Sequence, residues 1–194
     1  MRGHLHVGHE LFKAGHLEAA KTHMKHPEHE LYADVAPAFA ARGTRGFAAE
    51  LKSLATSVET GANESLVATQ YEALVGAISK NEAPALTSLG TPAERLKLVA
   101  ALVREAAAEY AIAVVDGKMM NAHEYQDAFG FTTVARGLVE GLPDGAAKAD
   151  AAKTLDEVLG SMWPGLMPPE ALSTAADQLH GAAAKIDLLA AGAS

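Results

Sequence analysis

Cysteine is absent from this 194-residue chain, which removes disulfides, thiolate nucleophiles and cysteine-type zinc sites in one step. That absence fits either side of a bacterial membrane and fixes no compartment. Aromatic residues are scarce at 5 %, and the 49 % apolar content is weighted toward alanine and leucine rather than valine and isoleucine. Alanine and leucine lose little side-chain entropy in a helix, so the composition favours helices over strands. Basic residues are outnumbered, 16 against 24 acidic ones, for a net charge of -8. Such a balance argues against a nucleic-acid partner, since phosphate binding needs a basic surface, and against docking on an anionic membrane. It is compatible with attracting cations. No uncharged apolar run approaches the roughly 20 residues that span a bilayer, so no membrane insertion is expected. The opening Met1-Arg2-Gly3 runs into His4 and Leu5 without a signal-peptide pattern, which reads as a mature or trimmed form.

Apolar residues recur at spacings of three and four almost throughout, and no segment sustains a period of two. The fold expected is all-α, a helical bundle of about eight to nine helices, with two packed antiparallel bundles as one arrangement. Helices are predicted near 5–14, 16–25 and from Pro27 to Gly43, where proline suits a first turn. Two more carry Phe47 to Val58 and Leu66 to Ile78. Residues 81–91 hold a proline and a glycine and read as a connection, a seam within a single helical domain spanning 1–194. Thr91-Pro92-Ala93-Glu94 then has the form of a capping box opening a helix to about Val115, which Asp116-Gly117 stops. Further helices are predicted over 121–138, 147–162 and 169–190. Leu11 to Met24 superficially resembles a tetratricopeptide-type hairpin, but nothing recurs near a period of about 34, which excludes a solenoid.

Histidine is what the chain has in excess, and seven of its nine lie between positions 4 and 29. An expression tag is a poor explanation, because these histidines alternate with an amphipathic helix pattern. On the second helix His16, His23 and His26 fall within ~80° of arc, bordering the stripe of Leu17, Ala20 and Met24. Imidazoles at such an edge are half-buried, which favours the neutral, ligating form. His23 and His26 stand three apart and can reach one ion from a single face. Glu30 follows four residues after His26, and two imidazoles with a carboxylate suit iron, manganese, copper or zinc better than calcium or magnesium. His4 and His9 are outer candidates; the other histidines are ordinary surface residues on this reading.

A metal needs more ligands than one helix corner supplies, and the best remaining carboxylates lie in residues 121–138. With Glu124 at 0° on a helical wheel, Asp127, Ala128, Phe131, Val134, Ala135 and Leu138 fall between about -80° and +40°. Glu124 and Asp127 thus extend a core-facing stripe, where an uncompensated charge is costly. A metal ion is one cation that meets them; a lysine or arginine is another. Helix capping from Asn121 accounts for Glu124 without a metal, but accounts poorly for Asp127 in the second turn. Trp163, between Met162 and Pro164, reads as a plug at a helix junction, and His180 as a surface or packing residue.

Two segments resemble a known family. Ala108 to Phe131, AEYAIAVVDGKMMNAHEYQDAFGF, is similar to a motif in the periplasmic helical domain attached to bacterial Ftr-type iron permeases. There a tyrosine-bearing helix end leads into a D-G-K-V-x-N turn and an E-Y helix, matched here by Tyr110, Asp116, Gly117, Lys118, Asn121, Glu124 and Tyr125. His23 to Tyr32 resembles a second motif, H-x-x-H-P-x-E-E-x-Y, with His29 where an acidic residue is common. Gly3 to Gly8 also looks family-like. The resemblance implies a periplasmic metal-binding protein acting in metal uptake or homeostasis, with iron the first choice of metal and copper the second. A membrane metal permease is the implied partner, although the permease's own membrane helices and acidic motifs are missing. On this expectation His23, His26, Glu30, Glu124 and Asp127 close over one ion.

Two other classes compete. A non-haem iron or haem enzyme is open, since two imidazoles and a carboxylate can leave free coordination positions and Met119 and Met120 precede His123. However, there is no phosphate-binding glycine loop and no G-x-S-x-G motif, so a non-enzymatic role is preferred. A helical interaction module with an incidental histidine patch is the third reading.

Overall fold

The computed structural model describes residues 1–27 and 31–193. The described residues form nine helices and one two-stranded hairpin, as an all-α composition requires. They fall into two compact units, Met1–Ser88 and Leu89–Ser194.

The first unit holds α1 (Arg2–Lys13), α2 (Leu17–His26), α3 (Tyr32–Ala41), α4 (Ala48–Glu59) and α5 (Glu64–Ser88). Gly15, at φ +81°, reverses the chain between α1 and α2. The two helices then pack so closely that a Cβ on Gly8 would lie 2.8 Å from the Met24 side chain and 3.3 Å from the Cβ of His23. Leu5, Val7, Leu11, Ala20, Met24, Leu51, Leu54, Val58, Val67, Leu74 and Ile78 make the core. α3 buries none of its residues fully. It is tied down by the rings of Tyr32 and Phe39, which pack on each other and on Phe47 at centroid distances of 5.1–6.1 Å.

α5 continues through Pro84 to Ser88, where composition predicts a connection from residue 81. Asn81 is the reason it holds. Its buried side chain donates to Ala77 O (2.8 Å) and Gly46 O (3.3 Å) and accepts from Gly46 N (2.7 Å). A polar residue that reads as a loop former is thereby a lock between α5 and the turn before α4. Gly46 itself sits at φ +74°, and a Cβ there would stand 2.2 Å from the Tyr32 hydroxyl. Gly46→Ala is expected to destabilise this unit by about 2–3 kcal/mol. Left-handed backbone strain contributes roughly half, and displacement of Tyr32 from its bond with Phe47 N the rest. Chemical denaturation checks it; a change under about 0.5 kcal/mol contradicts it.

The second unit holds α6 (Pro92–Ala113), β1 (Val114–Val115), β2 (Lys118–Met119), α7 (Ala122–Glu140), α8 (Ala146–Met162) and α9 (Asp177–Gly192). The capping box at Thr91 and Glu94 forms as the sequence predicts. α6 packs mainly on α7 and α9. Its Ala100, Ala106, Ala107 and Ala113 are fully buried, and such small residues let neighbouring helices approach closely. Tyr110, Tyr125, Phe129 and Trp163 form an aromatic cluster at one end of this core. Trp163 ends α8 and donates its indole N–H to Tyr125 O, so it does plug a helix junction.

Two sequence expectations are corrected here. Asp116 and Gly117, at φ 50° and 73°, do more than stop α6: they turn a short antiparallel hairpin, Val114 opposite Met119. And α9 starts at Asp177 rather than 169. The backbone before it is committed to the hairpin instead, with Met119 N donating to Glu170 O (3.0 Å) and Leu172 N to Gly117 O (2.9 Å).

Candidate metal centre

The hairpin sets where α7 begins. Met120 N and Asn121 N both donate to Ala113 O, at 2.8 and 3.2 Å, folding the chain back onto the end of α6. Asn121 Oδ1 then caps α7, accepting from His123 N (3.0 Å) and Glu124 N (3.5 Å). Because Asn121 N is already used on Ala113, Glu124 does not complete a reciprocal capping box. Its carboxylate meets the Asn121 amide at 3.5 Å and Glu109 on α6. Capping therefore explains the backbone position of Glu124 but not the direction of its side chain.

Glu109, Glu124 and Asp127 are a group of acids packed against one another. Burial, and then the hydrogen bond to Glu124 with the charges of Glu124, Asp127 and Glu105, raise the Glu109 carboxyl to about 7. Asp127 is 4 % exposed and, among the described residues, is the only fully buried acid. His123, one helical turn before it, places Nδ1 3.2 Å from Asp127 Oδ2. His123, Glu124 and Asp127 each offer a ligand atom within 4.8 Å of the others. The first turns of α7 are tied down, Tyr125 Oη donating to Gly165 O (2.8 Å) and Gln126 Nε2 to Leu166 O (3.3 Å), while on α6 Tyr110 Oη meets Thr174 Oγ1 at 2.5 Å.

In the first unit the imidazoles of His4, His23 and His26 cluster, with ring centroids 6.3 Å (His4 to His23) and 5.0 Å (His4 to His26) apart. Close approach at Gly8 makes this possible. His23 is fully buried at the centre of the α2 interface rather than at its edge, while Leu17 is 44 % exposed. His9 does not join this group. It lies on the opposite side of α1, stacked on Tyr71 at 4.0 Å. His16 is exposed at the start of α2, and His180 is exposed on α9. Glu30 and His29 lie outside the described residues. Burial lowers the pKa of His6 and of His9, so both are neutral near pH 7.

Sequence reasoning thus located Glu124 and Asp127 on α7 and His23 and His26 on α2, and it missed two contributors. Glu109 carries no local mark, because its partners come from α7. His123 entered only as a haem candidate, although its spacing of four before Asp127 was a usable signal.

An all-α unit of four helices, with acids and an imidazole gathered where two of them meet, is a class of protein suited to holding cations. The family is more specific. Residues 85–193, more than half of the chain, match the iron permease-associated 4-helix bundle domain, and the chain belongs to that family. The matched span contains α6, α7, α8 and α9, the four helices of the name. No curated protein and no solved structure matches the chain. The motif residues now have distinct roles. Tyr110, Asp116, Gly117, Lys118, Asn121 and Tyr125 build the hairpin, the cap and the aromatic core, and Glu124 is the one that joins the acidic cluster.

Proposed function

We propose that this chain is a periplasmic protein that binds a transition-metal ion, iron before copper, zinc or manganese, as cargo for a membrane iron permease. Its ligands are drawn from His23 and His26, with His4 beside them, and from Glu124 and Asp127, with His123 beside them. The observation that carries the reading is Asp127, a nearly inaccessible carboxylate with His123 and Glu124 offering ligand atoms within 4.8 Å. Charge is taken from water at a cost of several kcal/mol per ion, and such burial is retained where a cation offsets it. Imidazole with carboxylate is a donor set for borderline divalent metals and for iron. The permease partner rests on the family, and the periplasmic placement on the resemblance carried by the D-G-K turn with its E-Y helix. No helix among the described residues is long and apolar enough to cross a membrane.

The test is calorimetric titration of metal-stripped full chain with iron(II) under anaerobic conditions, then with copper(II), zinc(II) and manganese(II). Binding tighter than ~10 µM by iron(II), lost on replacing Asp127, is the expected result. Failure of all four ions to bind below high micromolar concentrations overturns it. The ratio of ions to chains tells whether the imidazoles and the carboxylates serve one ion or separate ones.

A further inference from the structure

On α5 the residues Glu72, Gly76 and Lys80 follow one another at steps of four, an acid and a base ~12 Å apart along the axis with glycine between them. A Cβ at Gly76 would meet nothing within 4 Å, so the helix offers bare backbone there rather than a packed contact. Ala73 and Ala77 flank it with no more than a methyl each. Over this floor lies a cleft of about 550 Å³, a size that suits a small molecule.

The facing wall comes from α4 and the turn before it. Gly46 N donates to Asn81 Oδ1 (2.7 Å) and Gln70 Nε2 to Ser53 Oγ (2.9 Å), so α4 runs antiparallel to α5. Arg45 is thereby brought to the Lys80 end of the cleft, Glu50 to its middle, and Glu72 stands toward the other end. The two oxygens of Glu50 differ. Oε1 accepts from Arg45 Nη2, whereas Oε2 is buried and, among the described residues, has no hydrogen-bond partner. Burial pushes this carboxyl upward, but the bonds from Arg45 and from its own backbone N–H outweigh that and leave it below its ordinary value, so it is charged at neutral pH. Arg45 with Glu50 is the only ion pair lining the cleft among the described residues, and Glu72 and Lys80 have no opposite charge beside them.

A carboxylate oxygen kept from water without a donor is costly, and a ligand N–H is the group that satisfies it. Two acids and two bases line the cleft, so the complementary ligand carries one charge of each sign and no net charge. Lys80 at one end, with Glu50 and Glu72 toward the other, sets those charges further apart than a single α-amino acid does. We infer that this cleft binds a short zwitterionic peptide, its ammonium group on Glu50 Oε2 and Glu72 and its carboxylate on Lys80. Three extended residues span at most ~10 Å, which matches the interval. Arg45 holds the Glu50 carboxylate in place. The site goes beyond the metal reading and does not depend on it.

Trialanine, added to the full metal-free chain and followed by backbone amide NMR shifts, is the test. Wild type is expected to bind it with a dissociation constant of roughly 0.1–1 mM, in keeping with a half-open site and a ligand of this size. N-acetyl-trialanine and trialanine amide, each short of one charge, should bind at least ~10-fold more weakly. Lys80→Gln should weaken trialanine to a similar degree and leave the amide unaffected, because the amide has no carboxylate for Lys80 to meet. Gly76→Leu fills the cleft and should abolish binding. Leucine is a better helix former than glycine and meets open space at this position, so the variant stays folded. No shift with wild type up to about 10 mM trialanine, equal binding of the three peptides, or unchanged binding by Gly76→Leu overturns the inference.

Discussion

Asp127→Asn is expected to weaken iron(II) binding by about 100-fold or more while leaving the metal-free protein folded. Loss of a residue that merely supports a ligand already costs 10- to 100-fold, and removal of a ligand costs no less. Asparagine keeps the shape and one oxygen of the carboxylate but removes its charge. Asp127 is 4 % exposed with His123 Nδ1 3.2 Å away. If holding that imidazole were its purpose, the substitution would weaken the contact with His123 and lower stability by about 1.5–3 kcal/mol, with metal binding unmoved. If Asp127 is there for a cation, the metal-free melting temperature should move by only a few degrees. The rise in melting temperature on adding iron should disappear instead, because an ion stabilises only the state that binds it. Thermal melts with and without metal separate the two directly. A variant that melts much lower yet keeps its metal-induced rise would remove Asp127 from the site.

Much of this architecture was legible because local chemistry announced it. The Thr91 cap, the Asp116-Gly117 turn and the Asn121 cap are each written in two to four neighbouring residues. What was hidden depended on partners far along the chain. A hairpin of two-residue strands is too short to show a period of two, and its stability comes from pairing with Glu170 and Leu172. The same pairing withheld residues 169–176 from α9.

Amphipathic residues caused the other errors of placement. On α7 the buried face runs through Tyr125, Ala128, Thr132, Ala135 and Val139, rotated from the stripe that aliphatic residues alone would draw. Tyr125 is buried because its hydroxyl finds Gly165 O, and Thr132 because its hydroxyl turns back to Ala128 O. His23 was set at the edge of α2 for the same reason, by treating imidazole as polar when close approach at Gly8 puts it at the centre. Asp127 nevertheless came out buried, as the wheel required, whereas Glu124 is only half-buried. The acid that sharpens the site, Glu109, could be found only once α6 and α7 were laid side by side.

That residue gives the second large effect, a stability that falls as pH rises. Glu109 titrates near 4.5 when the chain is unfolded and at about 7 in the folded protein. Between those values the folded state holds a proton that the unfolded state has released, so raising the pH through this window favours unfolding. Above about 7 both states are ionised and the penalty is complete; below about 4.5 both are protonated and it is absent. Burial is the largest cause, followed by the hydrogen bond to Glu124 and the charges of Glu124, Asp127 and Glu105, so the effect belongs to the cluster. Metal-free protein should therefore melt at progressively lower temperature from pH 5 to pH 7.5, and Glu109→Gln should flatten the slope, since a neutral amide can still donate to Glu124 without ever ionising. An ion bound at Glu124 and Asp127 adds positive charge beside Glu109, draws the proton off it, and should reverse the trend. Calorimetry at pH 6 in buffers of different ionisation enthalpy should then count close to one proton released per iron in wild type and fewer in Glu109→Gln. Equal proton release in the two proteins, together with parallel melting profiles, would place Glu109 outside the metal-linked cluster.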